Sequence, residues 1–111
     1  MPDLSDEPTS QAAVADWIRT QTRAHDHYAS VFTASEQHRI EHCGDCDVYP
    51  SASGPLLGAL VAAAGARRIL EVGCGLGYSA LWLADGAGPD GAVETCEKEP
   101  LHAELARRQF E

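Results

Sequence analysis

The run Ile69–Ala84, ILEVGCGLGYSALWLA, constrains this chain more than any other stretch, because Gly73, Gly75 and Gly77 alternate between two apolar segments. The residues before them, RRILEV, read as a short buried strand, and YSALWLAD behind them reads as a helix. Glycine permits the tight reversal from strand to helix, and its missing side chain lets a ligand lie against the backbone. The helix N-terminus beyond the turn presents unpaired N–H groups and a partial positive charge. A plain strand-to-helix turn uses glycine for the same reversal, so spacing alone leaves a structural and a ligand-binding reading standing.

The neighbours of the turn separate these readings. Tyr78 stands where a dinucleotide-binding G-x-G-x-x-G places its third glycine. Glu71, on the strand just before the first glycine, repels a pyrophosphate but suits a cationic amine. The second strand, AVETCE, ends in Glu97, where a carboxylate can accept hydrogen bonds from both hydroxyls of a ribose. A ligand with a ribose, an amine and a carboxylate but no phosphate is S-adenosylmethionine.

The rest of the chain frames this unit. At 111 residues there is room for one domain with one core, and 44% apolar content excludes general disorder. Residues 1–10 read as a disordered lead-in, with Thr9 or Ser10 as the cap of a first helix. Val14, Trp17, Ile18, Gln21, Ala24, Tyr28, Val31 and Phe32 recur at helical intervals and predict one amphipathic helix. Residues 33–54 read mostly as loop, and GPLLGALVAAAGA as a helix ending at Gly65. GAGPDG is a turn, and PLHAELARRQF a helix with Leu101, Leu105 and Phe110 on one side. From residue 68 the order is strand, helix, strand, helix, which implies a parallel pair in an α/β sheet.

Charge and segment length narrow the partners. Eight basic against 17 acidic residues give a formal net charge of -9, which repels phosphate backbones and anionic lipid. Neither nucleic acid nor a membrane is expected as primary partner; the paired Arg67-Arg68 and Arg107-Arg108 look like helix-end charges. The acidic start MPDLSDEPTS does not resemble a signal peptide, and PLLGALVAAAGA is too short to span a bilayer. A cytoplasmic location is expected, with the four cysteines as thiols.

ILEVGCGLGYSALWLA with GAVETCEKEPLHAELARRQF behind it resembles the nucleotide-binding half of class I S-adenosylmethionine-dependent methyltransferases, and more narrowly the small-molecule O-methyltransferases of the catechol and caffeoyl-CoA type. The resemblance spans roughly residues 49–110 and includes the upstream YPSASGPLLGALVAAAGARR. It implies an α/β, Rossmann-like class I methyltransferase fold, incomplete, made of N-terminal helices and the first βαβα unit. Residues 11–66 would be a helical cap region, and 67–111 the first half of the S-adenosylmethionine-binding domain. It further implies that Glu71 engages the methionine amino group and that Gly73, Gly75 and Gly77 floor the cofactor. Ser79, with the backbone around Tyr78, would contact the methionine carboxylate, Glu97 the ribose, and Lys98 would lie near the adenine. The family's usual Asp-Pro is here Glu99-Pro100, a weaker helix cap.

The implied activity is methyl transfer to a small-molecule hydroxyl, assisted in the complete family member by a divalent metal and a lysine. Those groups belong to later strands of the fold, so no catalytic residue and no metal ligand is assigned in this chain. Two strands are too few for a buried parallel sheet, so the chain reads as the front portion of an enzyme. A short protein that completes its sheet as a homodimer is the competing account. The alternatives in function are a non-catalytic module that keeps the cofactor turn and, more weakly, an NAD-dependent oxidoreductase fragment.

HRIEHCGDCD brings together His38, His42, Cys43 and Cys46, a donor set that zinc accepts, although usual zinc modules separate their ligand pairs further. Two thiols in a polar loop is the plainer reading. Cys74 reads as a small space-filling residue, Trp82 as core, Trp17, Tyr28 and Phe32 as packing, and His25 and His27 as a solvated face with no role.

Overall fold

A computed structural model describes residues 11–23, 25–42 and 53–111. The elements are α1 (Gln11–Arg23), α2 (Ala29–His42), α3 (Gly54–Ala64), β1 (Arg68–Val72), α4 (Tyr78–Ala87), β2 (Ala92–Cys96) and α5 (Pro100–Phe110). β1 and β2 pair in parallel, in register from Arg68 opposite Ala92 to Val72 opposite Cys96, and α4 is the crossover between them. The expected strand–helix–strand–helix order is therefore present.

α3 packs closely on α4 because its glycines leave room for a tryptophan. A Cβ on Gly58 would stand 2.9 Å from the Trp82 ring, and one on Gly54 would run into that ring and the Tyr78 hydroxyl. Trp82 is buried with Tyr78 and Val31, flanked by Tyr28, Phe32 and Leu81. α3 ends at Gly65 (φ 64°) as expected; its N–H bonds to the Ala62 carbonyl, and the N–H of Ala66 to that of Val61.

The strands alternate. Ile69, Glu71, Val93 and Thr95 are half-buried, whereas Leu70 and Val72 on the opposite face of β1 are 72% and 83% exposed. α4 contacts both strands, so the sheet is covered on one face and bare on the other among the described residues.

Three expectations are corrected. The single helix over residues 14–32 is two helices, because His25–Tyr28 forms a turn: the Asp26 carboxylate accepts the Tyr28 N–H at 2.9 Å and starts a new helix. Residues 33–42, read as loop, continue α2. Its buried positions Val31, Ser35 and His38 have helical spacing, but two of them are polar, which hides the period. The packing role fails for Trp17, which is 51% exposed on α1, while Tyr28 and Phe32 do pack. On α5 the buried positions are His102 and Ala106, not Leu101 or Phe110. The lead-in, the Thr9 or Ser10 cap, and Cys43 and Cys46 lie outside the described residues.

Candidate cofactor site

The site is the turn between β1 and α4 together with the end of β2. Gly73 (φ 85°), Gly75 (φ 54°) and Gly77 (φ 99°) all adopt left-handed backbone, a conformation that other residues take only with strain. The Gly73 N–H bonds to the Cys96 carbonyl at 2.9 Å, which carries the parallel ladder to the lip of the turn. A Cβ on Gly73 would meet nothing within 4 Å, so the backbone there faces open space. At Gly77 the reason for glycine is different: a Cβ would stand 2.8 Å from the Phe110 ring of α5.

Two carboxylates border the turn. Glu71, on the half-buried face of β1, accepts the Ser79 hydroxyl on one oxygen and the Thr95 hydroxyl, at 2.7 Å, on the other. Glu97 reaches back from the end of β2 into the turn. One of its oxygens accepts the N–H groups of Cys74 at 3.2 Å and Gly75 at 2.8 Å, and the other accepts the Glu99 N–H at 3.0 Å. Burial pushes the Glu97 carboxyl upward, but the N–H groups of Glu99, Gly75 and Cys74 outweigh it, with His102 helping. The net value lies below the usual carboxylate range. Glu97 is therefore an anion whose position is fixed by backbone donors before any ligand arrives.

The expected site residues meet in one place, with qualifications. Glu71, Ser79 and Glu97 surround the glycine turn, with Ser79 turned to Glu71. Tyr78 keeps its backbone at the turn, but its side chain points away: its hydroxyl donates to Asp26 and its ring packs edge-on to Phe32. Burial, then the bond to Asp26, hold that phenol above its ordinary range. Cys74 is buried against Ala80 and Ala106, in line with a space-filling role, and burial raises its thiol. Glu99 caps α5 from extended backbone without a side-chain bond.

Asp26 is the residue that the sequence did not single out. Besides the Tyr28 N–H, it accepts the Tyr78 hydroxyl and the Trp82 indole N–H at 3.1 Å, tying the α1–α2 turn to the first turns of α4. Next to it, His27 stacks on Trp82 with ring centroids 4.9 Å apart, so it is not merely part of a solvated face. The available signal was an Asp two positions before a helix start, the pattern of an Asx turn.

Comparison with known proteins gives this geometry a family. A family described as O-methyltransferase matches residues 29–111. The chain belongs to that O-methyltransferase family. A catechol O-methyltransferase of Mycobacterium tuberculosis is 54% identical over 54 residues, which are 49% of this chain and 24% of that protein. A protein of Mycolicibacterium vanbaalenii that bears an O-methyltransferase name is 36% identical over 106 residues, 96% of this chain and 46% of its own length.

Among solved structures, cofactor-bound Rv0187 from MTB matches with a TM-score of 0.70 and 33% identity, over 93% of this chain and 46% of that one. The O-methyltransferase TomG from Streptomyces achromogenes, in complex with S-adenosylmethionine, matches with a TM-score of 0.61 and 34% identity, over 83% and 45%. The fold is thus the Rossmann-like α/β fold of class I methyltransferases, represented by N-terminal helices and a first βαβα unit. The chain spans at most about half the length of these relatives. None of the helices among the described residues is long and apolar enough to cross a membrane.

Proposed function

We propose that this chain carries the S-adenosylmethionine floor of an O-methyltransferase that methylates a small-molecule hydroxyl. The observation that carries the reading is Glu97, an ionised carboxylate fixed at the end of β2 by the N–H groups of the glycine turn. A carboxylate has about four lone-pair sites, and backbone donors use three of them here, leaving capacity toward a ribose. The open space over Gly73 lets the cofactor approach the backbone. TomG and a Bacillus cereus O-methyltransferase, solved with S-adenosylmethionine and S-adenosylhomocysteine, support the same cofactor.

When bound, S-adenosylmethionine supplies an electrophilic methyl group on a sulfonium. In this reading Gly73, Gly75 and Gly77 form the floor, Glu97 takes the ribose hydroxyls and Glu71 attracts the methionine ammonium. Ser79 and the Tyr78 backbone meet the methionine carboxylate, with Ser79 exchanging its bond to Glu71 for the ligand. The contribution of these groups is positioning, which holds the methyl carbon in line with an acceptor oxygen. Among the described residues no three His, Cys, Asp or Glu already converge on a metal position, so no step is assigned to a divalent metal.

The acidic surface supports a small-molecule acceptor over nucleic acid or membrane as partner, and the acidic, polar N-terminus supports a cytoplasmic location. The bare face of the sheet supports completion of the core by further strands, of the same chain or of a second copy in a homodimer. The division at residues 66 and 67 is proposed as the boundary between cap and cofactor domain. Separate calorimetric titrations with S-adenosylhomocysteine and NADH test the cofactor assignment. Binding of the first alone is expected; binding of NADH alone would overturn the reading in favour of an oxidoreductase.

A further inference from the structure

His38 of α2 and His102 of α5 are far apart in sequence, yet their imidazoles meet edge to face with Nε2 atoms 3.1 Å apart. Both residues are buried, at 8% and 9% exposure. Neither belongs to the cofactor turn. His42, one turn along α2, places its ring centroid 4.7 Å from that of His38.

We propose that His38 and His102 form a transition-metal clasp of zinc type between α2 and α5, with His42 within reach as a third ligand and water completing the shell. The geometry fits: zinc–imidazole bonds of about 2.0–2.1 Å at a tetrahedral angle place two nitrogens about 3.4 Å apart. The observed separation lies close to that, and both atoms facing each other are the Nε2 nitrogens that imidazoles use as ligands. Without a cation the pair shares one proton, one ring donating and the other accepting. A cation replaces that proton and is held by both rings. Burial, then His102 and His42, keep the His38 imidazole below its ordinary value against the opposing pull of Glu41, and the neutral ring is the ligating form. His102 also acts electrostatically on Glu97, so a cation at the clasp stands within influence of the cofactor site.

The test is a zinc titration of the full-length protein against a chromophoric chelator, performed in a Cys43→Ser, Cys46→Ser background so that those thiols do not bind the probe. One zinc per chain is expected, with affinity lowered at least tenfold by either His38→Ala or His102→Ala. A smaller loss is expected for His42→Ala. In the protein with all its histidines, long-range nitrogen–proton spectra should show the Nε2 signals of His38 and His102 moving together on zinc addition, a readout that needs no folded variant. Absence of zinc binding, unmoved Nε2 signals, or equal affinity in folded His38→Ala and His102→Ala proteins would overturn the clasp. None of these readouts depends on S-adenosylmethionine binding.

Discussion

The two faces of β1 behave as if they belonged to different proteins. Toward α4, Glu71 and Ile69 are half-buried, and Glu71 is bonded to Ser79 and Thr95. On the other face, two residues of the same strand type, Leu70 and Val72, are largely exposed. A parallel strand is apolar on both sides because helices normally cover both faces. The difference teaches that the cofactor side of this unit is built from local parts, namely one turn, one crossover helix and one neighbouring strand. The opposite side depends on a layer that the described residues do not supply.

The comparison makes predictions that differ sharply in size. Trp82→Ala should be the most damaging, because the ring fills the seam between α3 and α4 that Gly54 and Gly58 leave open. A loss of about 3–5 kcal/mol is expected by urea denaturation. Leu70→Ala in this chain, by contrast, should cost no more than about 0.5 kcal/mol, the range for exposed positions. A large loss at Leu70 would mean that the bare face is covered in solution and would erase the contrast between the two faces.

Glu97→Ala should weaken S-adenosylhomocysteine binding by about 1–3 kcal/mol, the loss expected for a buried hydrogen-bond partner, as read by calorimetry. Unchanged affinity would move the ribose elsewhere. Asp26→Ala should destabilise the fold by a similar amount, about 1–3 kcal/mol, by leaving the Tyr78 hydroxyl and the Trp82 indole without their acceptor. Cofactor affinity should change less than stability, since Asp26 holds the far side of α4.

The smallest effect concerns pH. The folded Glu97 carboxyl lies below its unfolded value, so its stabilisation is complete above the ordinary carboxylate pKa of about 4.3 and is lost as pH falls through the folded value. Denaturant midpoints should therefore decline less steeply across that acidic window in Glu97→Gln than in the unsubstituted chain. Identical slopes would show that the backbone donors do not hold the anion.

Much of the cofactor side was legible because its signals are local. Alternate glycines, a strand on either side and an acid at each strand end specify a turn without reference to distant residues. The features that escaped the sequence depend on distant contacts. α2 was hidden because Ser35 and His38 occupy its buried side, and the buried side of α5 is His102 and Ala106 instead of its leucines. Asp26 became visible only once the turn before α2 was placed against Tyr78 and Trp82. The His38–His102 contact has no sequence signature, because nothing in either helix points to the other.

The most direct test of the central claim is a crystal structure of the protein with S-adenosylhomocysteine. The account predicts both ribose hydroxyls within about 2.7–3.2 Å of the Glu97 carboxylate and the ligand lying over Gly73. A ligand seated away from the glycine turn, with Glu97 still bonded only to the backbone of Cys74, Gly75 and Glu99, would contradict it.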